Sequence, residues 1–271
     1  MNEVLIEARN QDEKNTVKSR FDYAQDVIRT HFGAAPEINA IRICRQEPGF
    51  IGFLRRAIDT LDPDITLSES IDILKKPELK NLGQWMSNSK QIIIYEGDPS
   101  KLRTYDRFTI AHELGHAVLE QIGGCRKAPL VVKEAFADMV GMIVTNAGNI
   151  PRDFLTSLDK SKGTLFDGHL TDKVDHFGNI GRFKDAAILY YIKEVYGLDK
   201  LWEIVGHIKE ASQNGLLNFF LDIYIGPQKV EEARISQLEK FEKFLIQEIG
   251  IVNLKELTAN ALDWYKERIK V

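Results

Sequence analysis

The sequence predicts an α+β fold that is mostly helical, with a small sheet beside one central helix and a helical C-terminal half. The stretches at 37–46 and 90–97 have the alternating or β-branched character of strands and indicate the sheet. Apolar residues recur at helical spacing over 14–32 and again beyond residue 183, which indicates the helices. Because 44% of the 271 residues are hydrophobic, the chain can bury a sizeable core.

The first predicted helix, 14–32, has an apolar face and a marked end. Val17, Phe21 and Ile28 recur on one face of this helix. Gly33, followed three residues later by a proline, ends the pattern. We therefore expect one amphipathic helix before the first strand.

The middle of the chain alternates between strand and helix patterns. Residues 53–61 suit a helix, and the strand at 90–97 comes shortly before the central helix, 107–120. Residues 130–144 are apolar nearly all round and predict a buried helix. The stretch 148–181 is rich in Gly and Asp, contains Pro151, and predicts a long connection, a kind of segment that is often functional.

The C-terminal half carries four further helical patterns, which are FKDAAILYYIKEVYG, DKLWEIVGHIKEA, QKVEEARISQLEKFEKFLIQEIG and NLKELTANALDWYKERIK. We expect an N-terminal part, 1–147, that holds the small sheet and the central helices. A helical C-terminal lobe, 148–271, is expected to pack with it as one unit.

Composition and charge argue against several classes of function. The net charge is −4, and the Lys and Arg residues are dispersed among acids, so no direct nucleic-acid binding is expected. No apolar run approaches the roughly 20 residues of a membrane span, and the N-terminus lacks the features of a signal peptide. These features predict a cytoplasmic protein without membrane contact. Cys44 and Cys125 are far apart and are interpreted as reduced structural thiols.

The central helix contains the motif His112-Glu113-Leu-Gly-His116. Residues four apart lie on one face of a helix, so the two imidazoles can be directed at one point, which suits a metal ion. Glu113 leaves the helix at another angle, which removes it from the ligands but lets it reach a metal-bound water. The motif therefore predicts two metal ligands and a general base.

The predicted buried helix carries two acids, Glu134 and Asp138, and two buried carboxylates without partners would be costly. The Gly-Gly turn follows His116 by about seven residues, or about 10 Å of helix, and Glu134 lies about as far beyond the turn. An antiparallel hairpin would therefore bring Glu134 level with His116, as the third ligand. Asp138 would then come level with His112 and fix the tautomer of its imidazole.

Two other classes of zinc peptidase use a different third ligand. A metzincin needs Gly and His at the positions of Leu119 and Ile122, so that class is excluded. An aspzincin uses a GTxxD motif, and GTLFD at 163–167 would make Asp167 the ligand. That alternative leaves the acids at 134 and 138 unexplained.

At these residues the sequence resembles the gluzincin metallopeptidases, in which a ligand Glu in a second helix follows the HExxH motif. Within that clan, the stretch IIIYEGDPSKLRTYDRFTIAHELGHAVLE is similar to the ImmA/IrrE peptidases, in which RFTxAHELGH follows a short strand. The resemblance covers about residues 90–145. It implies a zincin-like fold in which a helical C-terminal lobe closes the cleft.

The resemblance also implies a tyrosine that stabilises the oxyanion from the helical lobe. In this sequence Phe183 stands at the aligned position, and a phenylalanine side chain cannot donate a hydrogen bond. His169, His176 and Arg182 are the substitutes that the sequence offers nearby.

The sequence therefore predicts a zinc-dependent peptidase in which His112, His116 and Glu134 bind Zn²⁺. Glu113 would take a proton from the zinc-bound water as it attacks the scissile carbonyl and return it to the leaving amine. The resemblance implies a protein or peptide substrate, which in several members of the family is a transcriptional repressor. The alternative is a non-catalytic metal-binding or regulatory module with a zincin-like fold, which would not need Glu113.

Overall fold

The structure, a computed structural model, describes residues 4–45, 83–96, 107–126, 128, 130–160, 180–212 and 243–269. Within these ranges the fold is mixed α+β. It has one small sheet, and the other elements are helices. In chain order the elements are β1 (Leu5–Glu7), α1 (Gln11–Phe32), β2 (Ala40–Arg45), β3 (Gly83–Met86), β4 (Gln91–Glu96), α2 (Arg107–Gln121), α3 (Leu130–Thr145), α4 (Arg152–Lys160), α5 (Ile180–Tyr196), α6 (Leu198–Ser212) and α7 (Leu254–Arg268). Residues 243–249 are also helical.

The sheet has the strand order β1-β2-β4-β3. β2 pairs in parallel with β1 and β4, whereas β3 pairs antiparallel with β4 across a turn at 87–90. Lys90 has a φ of 52° in that turn, a left-handed conformation that helps to reverse the chain. In the part of the sheet that the structure describes, β3 is therefore an edge strand, paired on one side only.

Two of these strands were expected from the sequence. The predictions at 37–46 and 90–97 are confirmed by β2 and β4, each with slightly shorter bounds. β1 and β3 have only three and four residues, too few to show a reliable alternation of apolar and polar side chains. The helix predicted at 53–61 lies outside the described residues.

One face of the sheet packs on helices. Ile6, Ile41 and Ile92 lie side by side across β1, β2 and β4, and their side chains are buried. Trp85 of β3 is paired with Ile92 and lies on the same face. α2 packs against β3 and β4, and α1 packs against α2. The helix with the His-Glu motif is therefore held between the sheet and other helices.

The first helix ends as predicted and begins three residues earlier. Gly33 has a φ of 75° and donates its backbone N–H to the carbonyl of Arg29, which closes the helix. At the other end, the side chain of Asn10 accepts a hydrogen bond from the backbone N–H of Glu13. The first turn is polar, so apolar periodicity alone does not reveal it.

Helices α2 and α3 form a closely packed antiparallel hairpin, and both predicted helices are confirmed. A Cβ atom at Gly115 would lie only 2.6 Å from the Cα atom of Ala137. Glycine at this point allows the two backbones to approach closely. Side chains that face each other across the hairpin are thereby brought within contact distance.

The C-terminal half is helical in the residues that are described, as expected. α5 packs against α3, and α7 packs against both α5 and α4. The hydroxyl of Tyr265 donates a hydrogen bond of 2.8 Å to the carbonyl of Ala187, which joins α7 to α5 inside the core. The rings of Phe154 and Tyr190 pack on Tyr265. None of the described helices is both long and apolar enough to cross a membrane.

The long connection predicted at 148–181 is wrong for part of its length, because α4 lies within it. This helix follows Pro151, a residue that suits the first turn of a helix. Phe154 and Leu158 are one turn apart and buried against α5 and α7, and this burial stabilises the helix. Residues 161–179 lie outside the described part of the chain.

Candidate metal centre

The two histidines of α2 face one carboxylate of α3. Nε2 of His112 lies 3.4 Å from Oε2 of Glu134, and Nε2 of His116 lies 3.5 Å from Oε1 of the same side chain. The two imidazole rings are perpendicular, with centroids 4.9 Å apart. Helical spacing directs both rings to one side of α2, and the hairpin supplies the carboxylate opposite them.

These three side chains could hold a metal ion. One ligand atom from each of His112, His116 and Glu134 lies within 4.8 Å of the other two. Ligand atoms bound about 2.0–2.1 Å from a tetrahedral ion are about 3.3–3.4 Å apart. The observed distances of 3.4 and 3.5 Å are close to that separation. Nitrogen and carboxylate donors of this kind suit zinc and several other divalent ions.

Asp138 orients the imidazole of His112 within the cluster. Its side chain is completely buried, and Oδ1 lies 2.8 Å from Nδ1 of His112. Because the carboxylate can only accept, the imidazole donates its Nδ1 proton there, and Nε2 faces Glu134 and His116. Asp138 is one helical turn after Glu134, so the two acids of α3 contact the same imidazole at its two nitrogens.

The two imidazoles differ in proton affinity. Burial opposes the charged form of His112, but hydrogen bonds to Asp138 and Glu134 outweigh it and raise the pKa of His112 to about 10. For His116 burial dominates and lowers its pKa to about 4. His116 is therefore neutral near pH 7, while His112 holds a proton that a metal ion would have to displace.

Glu113 lies beside this cluster but does not belong to it. Its side chain is only 5% exposed. The carboxylate rests against β3: a Cβ atom at Gly83 would lie 2.6 Å from Oε1 and 2.7 Å from Cγ of Glu113. Glu113 follows His112 by one residue, a rotation of about 100° around the helix, which turns it away from the ligand face.

Phenylalanine side chains form an apolar wall beside the histidines. The ring of Phe108 stacks on His112, with centroids 5.9 Å apart. Phe183 of α5 meets Phe108 edge-on at 6.2 Å and 87°. Phe183, which stands where the resemblance implies a tyrosine, thus contacts Phe108 and adds apolar surface behind it without a hydrogen-bond donor.

Several residues singled out in the sequence are not placed. Asp167, His169 and His176 lie outside the described residues, as does the side chain of Arg182. Cys125 is buried and is not in a disulfide.

Gly83 and Phe108 contact the site but were not singled out by sequence reasoning. Phe108 precedes His112 by four residues, so helical spacing alone could have placed it on the histidine face. Gly83 is thirty residues from Glu113 in a very short strand, and no local pattern predicts that contact.

No protein-family model matches the chain, and neither a curated protein nor a solved structure shows significant similarity to it.

Proposed function

We propose that the protein is a zinc-dependent peptidase of the gluzincin type with a zincin-like fold. The observation that carries this proposal is the convergence of three electron-pair donors beside a separate buried carboxylate. His112, His116 and Glu134 are the donors, and Glu113 is the separate carboxylate.

The donor set calls for a cation. When a metal ion displaces the second proton of His112, the imidazole still donates its Nδ1 proton to Asp138, and the lone pair of Nε2 faces the carboxylate of Glu134. Lone pairs of this kind repel one another unless a proton or a metal ion lies between them. His116 brings another neutral nitrogen to the same point, which favours a metal ion with three protein ligands over a single proton.

A bound zinc ion would lower the pKa of water and polarise the scissile carbonyl group. The side chains of this chain supply the remaining steps. Glu113 accepts a proton from the attacking water and returns it to the leaving amine nitrogen as the peptide bond breaks. Asp138 holds His112 in the tautomer that leaves Nε2 available, and Phe108 excludes water from one side of the imidazole.

The edge strand supports a peptide as substrate. β3 lies against α2 and is paired on one side only in the described part of the sheet. An extended peptide can add to such an edge through main-chain hydrogen bonds, independently of its side chains. A peptide held there would run beside Glu113, which contacts β3 at Gly83.

The proposal is tested by metal analysis together with cleavage of a broad peptide library. Purified protein is expected to contain about one zinc per chain and to cleave peptides until a chelator removes the metal. Bound zinc without any cleavage would favour the non-catalytic metal-binding module. Correctly folded but metal-free protein from zinc-supplemented medium would contradict both.

A further inference from the structure

The contact between Gly83 and Glu113 leaves no room for a side chain on the strand. A Cβ atom at Gly83 would approach Oε1, Cγ and Cδ of Glu113 to 2.6, 2.7 and 2.9 Å, whereas ordinary contacts begin at 3.4 Å. Gly83 does not have a positive φ, so its backbone does not require glycine. The space that the missing side chain leaves is occupied by the carboxylate of Glu113.

A second contact fastens the same strand to the same helix. Glu120 accepts hydrogen bonds from Nε1 of Trp85 at 3.0 Å and from Oγ of Ser87 at 2.5 Å. Arg126 adds a cation 3.9 Å from the carboxylate. Glu120 lies in the last turn of α2, where the helix dipole disfavours a negative charge, and these contacts offset that cost.

The two contacts align strand and helix along their lengths. Glu113 and Glu120 are seven residues apart, or about 10 Å along the helix. Gly83 and Ser87, the first residue of the turn after β3, are four residues apart, or about 13 Å of extended chain, with Trp85 midway. Residues 83, 85 and 87 are two positions apart, so they lie on the same face of the extended chain, which is the face toward α2. The strand therefore runs in the same direction as the helix.

We propose that Glu120 and Gly83 are positioning residues for Glu113. Glu120 holds β3 on α2, and Gly83 provides the surface against which the carboxylate of Glu113 rests. The role given to that carboxylate rests on the proposed peptidase function. A displacement of about 1 Å in a catalytic group can reduce a rate about 100-fold, so this support affects catalysis directly.

Gly83→Ala tests the contact at the carboxylate. In a crystal structure of the zinc-loaded variant, the carboxylate of Glu113 is expected to move by about 0.8 Å or more, the difference between 2.6 and 3.4 Å. Zinc content should not change, and kcat should fall about 10- to 100-fold. Gly206→Ala is the matched control, because a Cβ atom there meets nothing within 4 Å.

Glu120→Gln and the double variant Trp85→Phe/Ser87→Ala test the hydrogen bonds that hold β3 on Glu120. The glutamine loses the charge, and the double variant removes both donors but keeps an aromatic ring on the strand. Both should lower kcat at temperatures far below Tm while zinc content stays constant. Glu203→Gln, which alters a carboxylate paired with Lys200 on α6, is the control and should keep kcat.

The outcomes separate this inference from the proposed function. Suppose that the wild type cleaves peptides, whereas Gly83→Ala and the variants at Glu120, Trp85 and Ser87 lose stability but keep kcat within about 2-fold. The positioning role is then wrong, and the proposed peptidase function stands. If the wild type cleaves no peptide, the peptidase proposal fails, and the crystal structure of Gly83→Ala still decides the contact. An unmoved carboxylate in that structure would overturn the inference.

Discussion

Nδ1 of His112 lies 2.8 Å from Oδ1 of Asp138, a carboxylate that is completely buried between α2 and α3. This pair joins the two helices at the centre of the candidate metal centre. It orients the imidazole and, in the neutral form that binds a metal, keeps the proton on Nδ1. Because Glu134 contacts the other nitrogen of the same ring, the acids of α3 act on one imidazole in two different ways.

Replacement of Asp138 by Asn should weaken metal binding without unfolding the protein. An amide is nearly isosteric with the carboxylate, and its oxygen can still accept from Nδ1 of His112, but the negative charge that makes the imidazole a better ligand is lost. We expect zinc affinity to fall about 10- to 100-fold, as is typical for such partners. Competition with a fluorescent zinc chelator measures the affinity, and an unchanged value would assign Asp138 a purely structural role.

Removal of the metal should lower thermal stability. An ion that binds only the folded state adds about 4 kcal/mol to the free energy of unfolding when its free concentration is about 1,000 times its Kd. We therefore expect a chelator to reduce the Tm of the wild type but to leave that of His116→Ala nearly unchanged. Differential scanning calorimetry with and without chelator gives both values. An equal chelator effect on the two proteins would place the stabilising ion elsewhere.

The proximity of Glu134 and Asp138 to the histidines could be predicted because it depends on local rules. Helical spacing determines which side chains share a face, and the turn after His116 determines which residues of α3 lie level with α2. The contact of Gly83 with Glu113 could not be predicted. It depends on strand order and register between segments thirty residues apart, and the strand is too short to recognise.

The fold was predictable to a similar extent. Long helices with a continuous apolar stripe, such as α1 and α5, are visible in the sequence because many residues repeat the same signal. α4 is short and lies in a stretch rich in Gly and Asp, and its helical state depends on burying Phe154 and Leu158 on neighbouring helices. Tertiary packing of this kind leaves only a weak trace in a single segment.

His31 should make folding stability depend on pH on the acid side. Burial, together with the nearby Lys193 ammonium, lowers the pKa of His31, although Glu194 opposes the effect. The unfolded chain, with a pKa near 6.5, therefore binds a proton more readily than the folded one. Stability from this residue is present above about pH 6.5 and is lost as pH falls toward the folded-state pKa, by at most about 1.4 kcal/mol per pH unit.

His31→Gln should reduce the loss of folding stability at acid pH, which Tm measurements between about pH 7.5 and 5 can detect. Lys193→Met is the companion variant. Nζ of Lys193 lies 3.5 Å from Nδ1 of His31, and removal of its charge should let His31 accept a proton more easily in the folded state. The same pH dependence in all three proteins would contradict this assignment.

Glu113→Gln and Glu134→Gln should separate the two glutamates beside the histidines by their effect on metal content. Glu113 rests on β3 beside the ligand cluster and is not one of its members, so its glutamine variant should keep zinc and fold. Loss of the base should still reduce peptide cleavage by about 10²- to 10⁴-fold. Glu134 contacts both imidazoles, so exchange of its anionic oxygen for a neutral amide should lower zinc occupancy itself.

The zinc content of both variants should be measured by mass spectrometry of the intact proteins, side by side with Tm. Loss of zinc from Glu113→Gln with retention in Glu134→Gln would reverse the two roles, and retention in both would direct the search for a third ligand to Asp167, His169 and His176.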